Sequence, residues 1–353
     1  MLIVDGHLDL ALNAIQNGRD LLLDAYTTRA LEADKSGPDR AKGTVALPEM
    51  RRGRVALCFT TICARCKVWS PTQAYGVARG QLGYYRGLEQ EGHVRVITDR
   101  ESLDAHVSEW KQWDEKPKES PLSTPPIGLV VSMESADPVL RPKQLEEWWL
   151  SGLRLVGPAH FGQGRFAGGT GCDAGLTEEG PALLKEMERL AIPLDLTHCS
   201  DASFWEALDH FGGRVLASHT NSRKLVPHQR GFDDDQMRAI LERGGVIGVT
   251  LGNWQLQFGW TVFADNKNLT VTLDRAIDHI DHVCQLAGDS KHVAIGSDLD
   301  GGAGTDEFPD DLDTIADLPR LEHLLADRGY STEQIGDILH DNWIDFLRTS
   351  WSA

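Results

Sequence analysis

A (β/α)8 barrel of the TIM type, with loop insertions and C-terminal helices, is the fold the sequence predicts, on three observations. Eight short runs of β-type residues alternate with segments of helical period. Side chains able to bind metals or move protons gather at the C-terminal ends of those runs, where this fold builds its sites. The chain has 353 residues, enough for one barrel of about 250 residues with a surplus for insertions.

In order, the runs are Leu2–Leu10, Arg54–Ile62, Ile127–Ser135, Leu153–His160, Pro193–Cys199, Arg214–Asn221, Val246–Leu251 and Val293–Asp300. Between the fourth and fifth, Leu183, Leu184, Met187, Leu190 and Ala191 make one apolar helical stripe, with Lys185, Glu186, Glu188 and Arg189 opposite. Between the seventh and eighth, Leu273, Ala276, Ile277, Ile280, Val283, Cys284 and Ala287 repeat the pattern. Thr177 and Asp201 stand where N-caps belong, and Gly212, Gly244 and Gly288 where helices stop. The surplus falls in Ala11–Gly53, in the proline-rich Asp114–Pro126 and after Asp300. No internal repeat interrupts the chain, so one domain over residues 1–353 is expected.

Charge and composition exclude several function classes. With 35 Lys+Arg against 53 Asp+Glu the net charge is −18, which repels phosphate backbones and anionic lipid, so neither nucleic acid nor membrane is an expected partner. The first ten residues carry Asp5, His7 and Asp9 and no leading basic group, unlike a signal peptide. No stretch approaches the roughly 18 apolar residues of a membrane span. The six cysteines are then expected as free thiols in a reducing cytoplasm. Cys63-Ala-Arg-Cys66 is a C-x-x-C without a second pair, a weak signal for metal or redox chemistry.

His7 and Asp9 close the first run, Glu134 the third, His160 the fourth, His198 the fifth, His219 the sixth and Asp298 the eighth. Each has a plain structural reading alone: a charged strand end, a loop acid, a core histidine. Together they are the nitrogen and oxygen donors that divalent metals take, and the barrel brings them to one face. Period-2 alternation puts His7 and Asp9 on one side of their strand, and likewise Asp298 and Asp300. An EF-hand at Asp298 is excluded, because its twelfth position would be Pro309. Cys199, next to His198, is expected to face the helices, and Trp148-Trp149 to pack in a helix.

The order H-x-D, Glu, His, His, His, Arg, Asp resembles the membrane (renal) dipeptidase family of the metal-dependent amidohydrolase superfamily. The local strings are similar too: Asp5-Gly-His-Leu-Asp9, Leu47-Pro-Glu-Met-Arg51, Asp195-Leu-Thr-His198-Cys-Ser200, Ser218-His219-Thr-Asn-Ser-Arg223, Arg230-Gly-Phe-Asp233 and Gly296-Ser-Asp298-Leu-Asp300-Gly301. The resemblance implies two Zn²⁺ ions, one on His7 and Asp9, the other on His198 and His219, with Glu134 bridging. It implies hydrolysis of small dipeptides, including those with a C-terminal D-residue, by a metal-bridging hydroxide. Asp298 would move the proton, His160 would face the oxyanion, and Arg230 would hold the substrate carboxylate unless it pairs with Asp233–Asp235. A homodimer is usual in the family. An amidohydrolase on another small amide or a modified amino acid, or a catalytically silent metal-binding barrel, are the alternatives.

Departures from the family pattern are local. Pro158-Ala159 precedes His160 where Leu-Thr is usual, and a glycine-rich stretch from Gly162 to Gly171 follows it. Ser135 replaces the usual Gly after Glu134, and the second run ends in Cys-x-x-Cys where the family is aromatic-rich. These touch pocket walls rather than the ligand set.

Overall fold

Among the described residues nine parallel strands make the sheet: β1 Ile3–Leu8, β2 Val55–Cys63, β3 Val94–Val96, β4 Ile127–Glu134, β5 Leu153–Val156, β6 Leu194–Asp195, β7 Val215–Leu216, β8 Ile247–Val249 and β9 Val293–Ile295. The computed structural model describes residues 1–64, 70–115, 124–266 and 268–351. Cys66 and most of the proline-rich Asp114–Pro126 stretch lie outside them. The strand order is β7-β6-β5-β4-β2-β1-β9-β8, with β3 paired to the start of β4. The circle closes between β7 and β8 through the bridge Ala217–Ile247. There Ala217 N donates to Val246 O (3.0 Å) and Gly248 N to Ala217 O (2.8 Å). All eight predicted strands are present; β3, three residues long, is an addition.

The later strands are shorter than their apolar runs because side chains replace the ladder. Asp195 Oδ1 accepts Thr197 N and Ser218 N, both at 3.0 Å. His198 leaves the extended region altogether, at φ +67°. Among the caps, Gly288 ends the helix Asp274–Ala287 in the left-handed region as expected (φ +83°), and Gly244 follows Asp234–Glu242 at φ +66°. Asp201 is the first helical residue rather than the N-cap. The cap of Asp201–His210 is Ser200, whose shorter side chain accepts Ser203 N at 3.0 Å. Thr177 caps nothing: its hydroxyl donates to Arg165 O (2.7 Å), and the helix starts at Gly180. Among the described residues no helix is long and apolar enough to cross a membrane.

Apolar residues fall into two clusters. Leu8, Cys58, Val131, Leu194, Ile240 and Ile280 belong to the larger one, which joins strands and helices. Cys199 lies in it and Trp148 is fully buried there, both as expected. The smaller cluster takes Val4, Leu57, Phe59, Val130, Leu155, Leu216 and Ala294 from six strands, together with Trp343 of the C-terminal helix Asn342–Ser350. Trp343 plugs the barrel: its indole nitrogen donates to Ile295 O (2.9 Å), and its ring lies 4.8 Å from that of Phe59. A Cβ on Gly6 or Gly248 would come within 2.7 or 3.0 Å of that ring, so glycine makes its room. A bulge in β1 between Asp5 and Leu8 then turns the chain by one residue.

Removing the plug leaves a void that parallel strands cannot collapse into. Trp343→Ala is expected to lower unfolding free energy by about 3–5 kcal/mol, measured by urea denaturation. A loss below about 1 kcal/mol would show that the indole is not a core element.

Candidate metal centre and active site

Seven of the eight candidate side chains leave strands or the turns immediately after them. His7 ends the inward side of β1 with Asp9 behind it, Glu134 is the last residue of β4, and His160, His198, His219 and Asp298 follow β5, β6, β7 and β9. Three of these turns use left-handed backbone at non-glycine residues: Ser135 (φ +67°), His198 (φ +67°) and Asp298 (φ +58°). Such residues cost about 1–3 kcal/mol each and concentrate at functional sites. The usual glycine after Glu134 has its explanation here, since the position Ser135 occupies is left-handed.

Glu134 is the hub. Its Oε1 lies 3.1 Å from His198 Nε2, 3.5 Å from His219 Nε2 and 3.6 Å from His7 Nε2, and its Oε2 lies 3.7 Å from His160 Nε2. His7 and His219 stack with ring centroids 3.6 Å apart. His7 Nε2 and His219 Nε2 are buried with no hydrogen-bond partner. The second nitrogens are occupied: Thr170 Oγ1 lies 3.0 Å from His198 Nδ1, and Ser218 Oγ 2.8 Å from His219 Nδ1. With Nδ1–H donating to a hydroxyl, Nε2 presents its lone pair inward, the tautomer a metal ligand needs. His7, Asp9 and Asp298 form a second group whose donor atoms lie within 4.8 Å of one another. Buried nitrogen lone pairs converging on carboxylates fit a divalent cation.

The glycine-rich stretch is a tight hairpin that holds two of these histidines. Thr170 N donates to His160 O (2.8 Å) while its hydroxyl meets His198. A Cβ on Gly168 would approach Ala174 O to 2.0 Å, and one on Gly169 would approach His160 O to 1.9 Å, so neither position admits a side chain.

Electrostatics follow from burial. His198 and His219 are pushed well below the ordinary imidazole range by burial, helped by Arg230 and neighbouring rings, and are neutral. Burial also pushes His7 down, but Glu134, Asp298 and Asp9 outweigh it and the net shift is upward. Burial opposes ionisation of Glu134, yet His160, His7 and His198 hold it well below the usual carboxylate range. Burial, reinforced by Glu134 and Asp9, raises Asp298 to about 7.

Asp298 and Asp300 do not face the same way. Both adopt left-handed backbone (φ +58° and +62°), which breaks the alternation. Asp298 Oδ1 stands 3.8 Å from His7 Nε2. Asp300 is consumed elsewhere, accepting Thr44 N and Thr44 Oγ1 (both 2.7 Å) and Val45 N (2.9 Å). Arg230 is fully buried; one terminal nitrogen donates to His219 O (2.9 Å) and the other has no partner. It does not pair with Asp233–Asp235: Asp233 caps the next helix, while Asp234 and Asp235 meet Lys224, His282 and Arg238.

A cavity of about 630 Å³ opens over the cluster. Glu134, His160, His198, Arg230 and Asp298 line its floor, and Phe161, Trp254, Val262, Phe263 and Phe308 its apolar walls. Glu307 fixes one wall by accepting Trp260 Nε1 (2.8 Å) and Phe263 N (2.6 Å). Thr61, whose hydroxyl donates to Asp9, and the orienting Thr170 and Ser218 were not singled out from sequence; only their places beside strand ends hint at them.

The family model for the membrane dipeptidases, peptidase family M19, matches residues 1–350. The chain belongs to that family. Its members are metallo-dipeptidases, hydrolases that act on peptide bonds. A dipeptidase structure of family M19 superposes with a TM-score of 0.78 at 25% identity, covering 100% of this chain and 99% of the other. A Rhodobacter sphaeroides metallopeptidase, liganded with a phosphinate mimic of L-Ala-D-Ala, gives 0.78 at 24% identity over 99% of both chains. An uncharacterized Klebsiella pneumoniae protein is 34% identical over 218 residues, 59% of this chain and 76% of that one. The chain matches half or less of the length of the Schizosaccharomyces pombe, Claviceps purpurea and human dipeptidases it resembles.

The raised Asp298 carboxyl makes the metal-free fold pH-sensitive. Between its ordinary 3.8 and about 7, Asp298 keeps its proton when folded but loses it when unfolded, so folding stability falls as pH rises through that window and levels off above it. Asp298→Asn does not titrate. Its stability relative to the parent should therefore improve steadily across the same window in urea titrations of metal-free protein. A pH-independent difference would contradict the shift.

Proposed function

We propose that this chain is a zinc-dependent dipeptidase with two metal ions, one held by His7 and Asp9, the other by His198 and His219, and Glu134 between them. The observation that carries the reading is Glu134 itself, whose two oxygens face imidazole nitrogens from four strand ends at 3.1–3.7 Å. Bound divalent ions supply an activated water and polarise the scissile carbonyl. Asp298, held near neutrality by burial, accepts a proton from the attacking water and returns it to the leaving amine. His160, a quarter exposed at the cavity floor, donates its ring N–H to the developing oxyanion. Arg230 offers its unpartnered terminal nitrogen to the substrate's C-terminal carboxylate.

The cavity has the volume of a small-ligand site, which favours dipeptides over longer chains. Dipeptides with a C-terminal D-residue belong to the proposal, in line with the mimic bound by the Rhodobacter sphaeroides relative. A cytoplasmic location and a homodimer complete it. The free thiols of Cys58 and Cys199 support a reducing compartment.

The test compares free dipeptides, L-Ala-D-Ala among them, with their C-terminal amides as substrates of zinc-loaded parent and Arg230→Met. A charge-assisted pair contributes about 1.5–3 kcal/mol, so the variant should lose about 10- to 150-fold in kcat/KM on free dipeptides. Amides should be poor substrates of the parent and little changed by the substitution. Equal losses on both would mean that Arg230 supports the fold instead of reading the carboxylate. Absence of hydrolysis in the parent, with metal bound, would turn the reading towards another amide or a silent barrel.

A further inference from the structure

The end of β2 departs from the family's aromatic-rich pattern, and Cys63 is the part of that departure placed at the site. Thr61 and Cys63 share one side of the strand by period 2. The Thr61 hydroxyl donates to Asp9, and Cys63 Sγ, an Asp9 oxygen and a Glu134 oxygen lie within 4.8 Å of one another, all three residues buried. The backbone there is clamped. Buried Gln81 accepts Cys63 N at Oε1 (2.9 Å) and donates to Cys63 O from Nε2 (2.8 Å), while Cys63 pairs in register with Glu134. A second donor in the cluster points the same way: His7 Nε2, buried and without a hydrogen-bond partner, lies 3.6 Å from Glu134 Oε1.

We propose that Cys63 is an additional protein ligand of the metal centre, a sulfur donor on the Asp9 side of a set otherwise made of nitrogen and oxygen. The proposal rests on the metal centre described above and adds to its ligand set. Thiolate is a soft donor, so its presence shifts metal preference from manganese and magnesium towards zinc and cadmium. The thiol loses its proton to solvent when it ligates.

Metal-free protein reloaded with Co²⁺ gives a readout independent of activity. Cobalt content and near-ultraviolet absorption are measured for parent and Cys63→Ser. The expected result is a thiolate-to-cobalt charge-transfer band in the parent, lost in Cys63→Ser while cobalt remains bound through the histidines. Cobalt bound without the band in the parent, or a band that survives in Cys63→Ser, overturns the Cys63 assignment and leaves the metal centre standing. A parent that binds no cobalt defeats both. X-ray absorption of the zinc-loaded parent needs no variant: a sulfur neighbour at about 2.3 Å is expected, and a shell of nitrogen and oxygen alone overturns the assignment.

Discussion

Everything at the mouth of this barrel depends on one buried carboxylate. An ionised Glu134 in an apolar interior is untenable without compensation, and the compensation comes from His7, His160, His198 and His219, each supplied by a different strand end. Two of these rings, His7 and His219, present buried Nε2 atoms without a hydrogen-bond partner, so the grouping is itself only half satisfied. A divalent cation resolves that deficit by giving lone pairs and negative charge a common partner.

The scaffold is arranged around that constraint at some cost. The β1 bulge lets Gly6 clear the Trp343 plug while His7 and Asp9 face the cluster. Left-handed backbone at Ser135, His198 and Asp298 aims the chain away from the sheet where each strand delivers its side chain. Asp5, buried beneath His7, accepts Ser297 N and Ser297 Oγ (2.8 and 2.5 Å) and His7 N (3.1 Å), tying β1 to the turn that carries Asp298. The Gly168-Gly169 hairpin joins His160 to the hydroxyl that orients His198.

Most of this was legible because the barrel has two strong periodicities and one functional end. Apolar runs located all eight barrel strands, and ligand-type residues at their ends located His7, Asp9, Glu134, His160, His198, His219 and Asp298. What escaped depends on single dihedrals and single hydrogen bonds. Val94–Val96 is too short to have a period. Alternation fails for Asp298 and Asp300 because left-handed residues rotate them apart. Ser200 displaced Asp201 as cap by one residue, and Thr61, Thr170 and Ser218 are ordinary hydroxyls until folding sets them against Asp9, His198 and His219.

The central claim is that Glu134 holds a metal pair together. Metal content of purified protein, measured for the parent and for Glu134→Gln, tests it most directly, because Gln keeps the size of the side chain and removes its charge. The account predicts about two equivalents of divalent metal per chain in the parent and loss of most of it in a Glu134→Gln variant that remains folded. A folded Glu134→Gln protein that retains the parent's full metal content would contradict it.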